Sequence, residues 1–116
     1  MVVSYYKTRA DLARRAATEL GKLVSGQDIE AEDQATIDDL IDPLVQQLSI
    51  DGVVTIGDTE EIELEYFLPL ARLLANEAAQ SFGIGKSNEV QAREEAVLRR
   101  LTSRKPTYET LKTNYY

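Results

Sequence analysis

The sequence contains no cysteine and no histidine among its 116 residues. The absence of cysteine excludes disulfide bonds, thiolate metal sites and cysteine nucleophiles. The absence of histidine removes the side chain that most often transfers protons near neutral pH, and with it the commonest zinc ligand. We therefore expect no catalytic residue, no metal site and no cofactor in this chain, and we expect that it is not an enzyme.

Long apolar segments are also missing from the sequence. No uncharged apolar run approaches the roughly 20 residues that a membrane-spanning helix requires. Residues 1–6 have neither the charged head nor the apolar length of a secretory signal. We expect no membrane partner, and a protein that is made and used without export.

Charge is present in quantity, but it is unevenly distributed. The net charge is −7, yet residues 27–65 hold thirteen acidic residues and no lysine or arginine, whereas residues 1–26 and 66–116 each carry +3. One interpretation is that these charges cover solvated helix faces. The other is that acidic and basic faces of adjacent copies meet and so steer self-assembly.

Apolar residues recur at helical spacing in four segments, and the chain length suits one domain. The first predicted helix runs from a Thr8 cap to Ser25-Gly26, and the second runs from about 31 to 49 with a kink or division at Asp42-Pro43. The third runs from about 65 to 81 with Pro69 in the first turn or so, and the fourth runs from a Ser87 cap to about Ser103. The third is apolar nearly all round, which predicts a central, buried helix. The predicted inward stripe of the fourth contains Val90, Ala92 or Arg93, Ala96, Val97, Leu98 and Leu101.

Between the second and third helices the pattern changes to that of a hairpin. Turn signals at Asp51-Gly52 and Gly57-Asp58 flank a β-branched run at 53–56 and an alternating run at 61–64. The predicted fold is therefore mainly α, a four-helix domain with a short β-hairpin at about 53–64 and extended N- and C-terminal segments. We assign residues 1–105 to the helical domain and residues 106–116, which follow the helix-stopping Pro106, to a C-terminal docking tail.

Two motifs invite a chemical interpretation. The run Gly83-Ile84-Gly85-Lys86-Ser87 resembles the end of a phosphate-binding loop, but it lacks the required first glycine and follows a helix, so a helix end followed by a helix cap is favoured. Asp38 and Asp42 lie four residues apart on a helix and can approach one another. Without a calcium-loop pattern beside them, a solvated face is favoured over a metal or catalytic site.

Five of the six tyrosines lie outside the predicted helices, at the two ends of the chain. Tyrosine offers a large contact area with few rotatable bonds and is frequent at interfaces. Either the ends fold back onto their own domain, or they reach a partner. The candidate partner-binding residues are Tyr108, Leu111, Tyr115, Tyr116, Tyr5 and Tyr6.

Several runs in the second half of the chain carry a family likeness. They are DGVVTIGDTEEI (residues 51–62), YFLPLARLLANEAA (66–79), Phe82-Gly83, LRRL (98–101) and RKPTYE (104–109). Together they resemble the head-to-tail adaptor, or connector, proteins of tailed bacteriophages, particularly those related to the packaged-DNA stabilisation proteins of short-tailed phages. These runs consist of turn and apolar patterns rather than catalytic motifs.

The resemblance implies a structural protein of the virion. Such an adaptor forms a ring, usually of twelve copies, beneath the portal at the head-to-tail junction, after synthesis in the host cytoplasm. It implies three partners: the portal, gripped by the tail after Pro106; further copies of the chain; and a tail or nozzle protein below the ring. The hairpin region is implied as a subunit or tail contact, and DNA passes through the channel without specific binding. Peptidoglycan hydrolysis, credited to some members, is not expected here.

The alternative from another class is a small helical DNA-binding regulator. Local basic clusters at Arg14-Arg15 and at Arg99, Arg100, Arg104 and Lys105 favour it. The acidic middle of the chain opposes it, because phosphates are repelled over much of such a surface.

Overall fold

The computed structural model describes residues 6–21 and 30–104. Its elements are β1 (Tyr6–Lys7), α1 (Arg9–Glu19), α2 (Ala31–Asp38), α3 (Ile41–Ile50), β2 (Ile62–Glu63), α4 (Leu64–Ala78), a short 3-10 turn (Ala79–Phe82) and α5 (Asn88–Arg104). The mainly helical class with a short antiparallel strand pair is confirmed. The second predicted helix is divided, which gives α2 and α3.

Helix α1 begins as predicted and ends earlier. The Thr8 hydroxyl accepts a hydrogen bond from the Asp11 backbone N–H (3.2 Å), and the Asp11 carboxylate accepts one from the Thr8 N–H (3.1 Å). This capping box satisfies two amides at the helix start. The predicted end at Ser25-Gly26 is wrong: the helix stops at Glu19, because Gly21 takes a left-handed conformation (φ +77°). Gly26 itself lies outside the described residues.

The division of the second predicted helix lies upstream of the proline. Helix α2 ends at Asp38, Asp39 and Leu40 form a turn, and α3 starts at Ile41. Pro43 therefore occupies the first turn of α3, where the missing N–H would have no helical partner in any case. The sequence predicted a kink or two shorter helices meeting at Asp42-Pro43; the observed junction lies three to four residues before the proline.

The predicted hairpin at 53–64 is wrong in its first strand. Helix α3 ends in a Schellman motif, in which the Val53 N–H bonds to the Leu48 carbonyl (2.9 Å) and Gly52 adopts φ +71°. The Val53 carbonyl accepts from the Thr102 hydroxyl (3.4 Å), and both Val53 and Val54 are buried. These valines therefore pack into the core as a loop. Strand β2 pairs instead with β1, Tyr6 opposite Glu63 and Lys7 opposite Ile62.

Helix α4 is the centre of the domain, as predicted. It packs chiefly against α1 and α5, and from Pro69 onward only Arg72 and Glu77 escape full burial along the helix. Pro69 is its sixth residue and lies in the second turn, not in the first turn or so as expected, so one position in the helix supplies no backbone N–H. Burial of the following residues stabilises the helix enough to offset that loss.

Helix α5 begins at the predicted cap, where the Ser87 hydroxyl accepts from the Val90 N–H (3.2 Å). Its inward stripe is partly mispredicted. Leu98 is fully buried and Leu101 packs at the edge of the core, but Ala92 and Ala96 are exposed, and Glu94 is buried in their place. The helix is thus rotated relative to the predicted stripe, which presents its alanines to solvent.

Candidate interaction surfaces

The predicted partner-binding residues fall into two groups. Tyr5, Tyr108, Leu111, Tyr115 and Tyr116 lie outside the described residues. Tyr6 is described, and it belongs to strand β1 rather than to an extended end. The structure therefore locates one of the six candidates.

Tyr6 contributes to an exposed apolar patch at the start of α4. It is 48% exposed and lines a shallow depression with Leu64, which is also 48% exposed, and with the glutamates on either side of that leucine. Leu68, one helical turn further, is 40% exposed, and we call these three residues the Tyr6 patch. Beside it the Lys7 ammonium lies 5.5 Å from the centre of the Phe67 ring, a cation–π distance. The patch joins the strand pair to the central helix.

Two grooves flank the central helix. One, of about 300 Å³, lies between α3, α4 and α5 and has an apolar floor with a carboxylate rim; its main lining residues are Leu44, Leu48, Asp51, Glu77 and Glu95. The other, of about 260 Å³, lies beside the start of α5 and is lined mainly by Leu20, Ala75, Ile84, Arg72 and Arg93. Within residues 6–21 and 30–104, no three acidic side chains are placed to share a metal ion.

Asp38 and Asp42 do converge, but they converge on a cation. The Arg9 guanidinium lies 3.2 Å from the Asp38 carboxylate and 2.7 Å from the Asp42 carboxylate, and it also donates to the Thr59 hydroxyl (2.9 Å). The hydrogen bonds to Asp42 and Asp38 raise the pKa of Arg9 above its already high ordinary value. Arg9 thus clamps α1 to both helices of the divided pair and to the 51–61 loop.

Replacement of Arg9 by methionine should therefore lower the free energy of unfolding by about 1–2 kcal/mol. The lower part of the range for charged hydrogen bonds applies because Asp42 is 73% exposed and water resolvates it. Since a raised cation pKa preserves the charge at all pH values below it, the loss should not vary with pH on account of Arg9. Urea unfolding followed by circular dichroism measures the effect.

Arg99→Met is the matched control, because Arg99 is 53% exposed and lies 3.8 Å from its partner Glu95. It should cost less than about 0.5 kcal/mol. Equal unfolding midpoints for the two variants would contradict the clamp.

The connection between α4 and α5 is held by a buried amide. The Asn76 side chain accepts from the Ser87 N–H (2.8 Å) and donates to the Ser87 carbonyl (2.9 Å). Because one partner is a donor and the other an acceptor, the amide orientation is fixed. Lys86 pairs with Glu77 at 2.6 Å. The Gly-Lys-Ser run is therefore a helix end followed by a helix cap, as predicted, and the Lys86 ammonium and the Ser87 backbone are already paired.

Removal of this amide by Asn76→Ala should unpair the Ser87 backbone and cost about 1–3 kcal/mol. The loss should be local, so amide hydrogen exchange in the first turn of α5 should accelerate more than exchange in α1. Asn88→Ala, an exposed substitution at the start of the same helix, is the control and should leave exchange nearly unchanged. Uniform acceleration across the chain would contradict the assigned role.

A second buried polar group ties three helices together. Glu94 is 3% exposed, accepts from the Arg93 Nε (3.1 Å) and lies 3.6 Å from the Arg72 guanidinium. Arg72 in turn lies 3.9 Å from Glu19 on α1. Sequence reasoning missed Arg9, Asn76 and Glu94, although Glu94 falls at the i, i+4 spacing of Val90 and Leu98, a signal for an inward position.

Comparison with protein-family models, with curated proteins and with solved structures finds no match to this chain. Within the described residues, no helix combines the length and the apolar character that crossing a membrane would need.

Proposed function

We propose that this chain is a head-to-tail adaptor of a tailed bacteriophage, which forms a ring beneath the portal and links the DNA-filled head to the tail. The observation that carries the proposal is the likeness of residues 51–62, 66–79, 98–101 and 104–109 to that family. In this function the partners are the portal, the tail or nozzle protein and further copies of the chain. DNA passes through the ring without specific binding.

The described residues explain what the likeness consists of. Val53, Val54, Leu70 and Leu74 are core residues, and Gly52 ends α3 in a left-handed turn. The shared pattern is thus a pattern of packing and turns, which supports a shared fold more directly than a shared site. The functional part of the proposal depends on the closing run from Arg104, which leads from α5 into the tail.

The surface of the domain is consistent with docking onto other proteins. The Tyr6 patch exposes one tyrosine and two leucines together, and such residues are typical of the centre of an interface. Residues 30–65 carry many carboxylates and no lysine or arginine, and a surface of that charge would repel DNA from a channel wall rather than hold it.

The proposal is tested by locating the chain in particles of the phage that encodes it. Gold-labelled antibody against the chain should mark a single vertex of tail-less heads, the vertex at which the tail attaches. Intact particles should show the same protein by mass spectrometry. Absence of the chain from purified particles would overturn the proposal.

A further inference from the structure

Two helices of the domain expose matching alanine seams of opposite charge. On α2 the exposed residues are Ala31, Glu32, Ala35 and Asp39, the last in the turn that continues the helix. We call these the acidic seam. On a helix of 3.6 residues per turn they lie within about 100° of one another, on one face.

The basic seam lies on α5 and has the same spacing. Its exposed residues are Ala92, Arg93, Ala96 and Arg100, each 61 positions after its counterpart on α2. The alanines coincide with alanines, and the two arginines coincide with the two acids. The rotation of α5 turns Ala92 and Ala96 outward and so exposes this matching set on the surface.

The charges at the ends of the two seams are available for a partner. Within the described ranges, Glu32, Asp39 and Arg100 make no ion pair. Arg93 is 59% exposed, although it also reaches Glu94. A new ion pair at Glu32, Asp39 or Arg100 would therefore form without the loss of an existing one. At Arg93 it would compete with the contact to Glu94.

We infer that the basic seam of one copy docks against the acidic seam of a second copy. Both seams are exposed within a single chain, so they do not cover one another there. Small side chains allow two helix axes to approach to about 8 Å. The identity of the occupant as another copy rests on the proposed ring, and the charge complementarity supports it.

The charges also select the relative direction of the two helices. In a parallel arrangement in register, Arg93 lies level with Glu32 along the helix axes and Arg100 lies level with Asp39. Glu89, which is exposed beside the basic seam, then lies beyond the N-terminus of α2, and Arg100 lies at its C-terminus, as the helix dipole favours. In an antiparallel arrangement Glu89 would meet the carboxylates at the end of α2, which is unfavourable.

Docking of two different faces has a consequence for assembly. Such an interface is heterologous, so a docked pair keeps one free acidic seam on one copy and one free basic seam on the other. Repetition of the contact gives a ring when the rotation closes and a filament when it does not. The two seams thus supply the copy-to-copy contact that the proposed adaptor needs.

The absence of cysteine allows a direct test by disulfide trapping. A chain carrying both Ala35→Cys and Ala96→Cys should form a ladder of covalent dimers, trimers and larger species under mild oxidation, because these Cα atoms come within disulfide range. Ala31→Cys with Ala92→Cys should do the same. Each single-cysteine chain should form at most a slow dimer. Thr18→Cys with Ala96→Cys is an exposed control pair. The inference would be overturned if the Ala35–Ala96 chain formed its ladder no faster than this control.

Register and charge are tested with the same readout. Ala31→Cys with Ala96→Cys, displaced by about 6 Å along the helix, should link about tenfold more slowly; faster linking would contradict the parallel arrangement. Addition of Arg93→Glu and Arg100→Glu should slow the Ala35–Ala96 linking about tenfold or more, since like charges then meet. Further addition of Glu32→Arg and Asp39→Arg should restore it.

Failure of this interface is distinguishable from failure of the proposed function. Oxidation uses the purified chain alone and needs no portal. If no ladder forms but the chain binds the portal, the seam interface is wrong and the adaptor function stands. A ladder without portal binding would establish the seams and overturn the adaptor function.

Discussion

Deletion of residues 106–116 is expected to weaken binding to the portal at least about a hundredfold. The segment contains Tyr108, Leu111, Tyr115 and Tyr116, and a single interfacial tyrosine typically contributes about 2 kcal/mol when it is buried by a partner. Because the deletion removes no residue of the described core, the helical circular dichroism signal and the melting temperature should change little. Surface plasmon resonance on immobilised portal rings measures the loss.

Substitutions in the tail separate side-chain contacts from mere chain length. A chain with Tyr108→Ala, Tyr115→Ala and Tyr116→Ala should lose most of the affinity, and a chain with Thr107→Ala and Thr113→Ala should keep it. If the triple tyrosine variant binds as tightly as the intact chain, the tail assignment is wrong. If the truncated chain unfolds, the segment folds back onto its own domain, which was the alternative that the sequence left open.

The substitution Leu74→Ala is expected to lower the free energy of unfolding by about 2–5 kcal/mol, the largest stability change among those considered. Leu74 is fully buried in α4, the helix on which both α1 and α5 pack. Truncation removes the transfer free energy of three carbon atoms and leaves a cavity that rigid neighbouring helices fill only partly. Against a total stability of about 5–15 kcal/mol, such a loss should be obvious in urea unfolding.

Leu68→Ala is the matched control on the same helix. Its side chain is 40% exposed, so truncation should cost less than about 1 kcal/mol. If the two leucines were equally sensitive, the central position of α4 would be contradicted. Leu68 also belongs to the Tyr6 patch, so a loss of assembly without loss of stability in this variant would identify the patch as a docking surface.

The helical part of the fold was predictable because it depends on local signals. The Thr8 capping box, the Ser87 cap and the apolar length of α4 each act within a few residues, and each prediction is confirmed. The end of α1 was mispredicted because the apolar spacing continues past Gly21, and spacing alone does not report a left-handed backbone.

The remaining features depend on partners distant in sequence. Strand β1 meets β2 across more than fifty residues, so the β-branched run at 53–56 suggested a local hairpin that the core did not allow. Arg9 finds its acids on other helices, and Asn76 finds its partner across a turn. The outward rotation of Ala92 and Ala96 reverses the usual preference, because Glu94 is buried against Arg72 and Arg93. The basic seam was thereby concealed from sequence reasoning.

The central claim, that the chain is a portal-binding adaptor, is tested most directly by weighing its complex with the portal. Native mass spectrometry of purified portal rings mixed with the chain should show a gain of twelve times 13.0 kDa, whereas the chain alone in dilute solution should have the mass of a monomer. No gain in mass at any concentration of the chain would contradict the account.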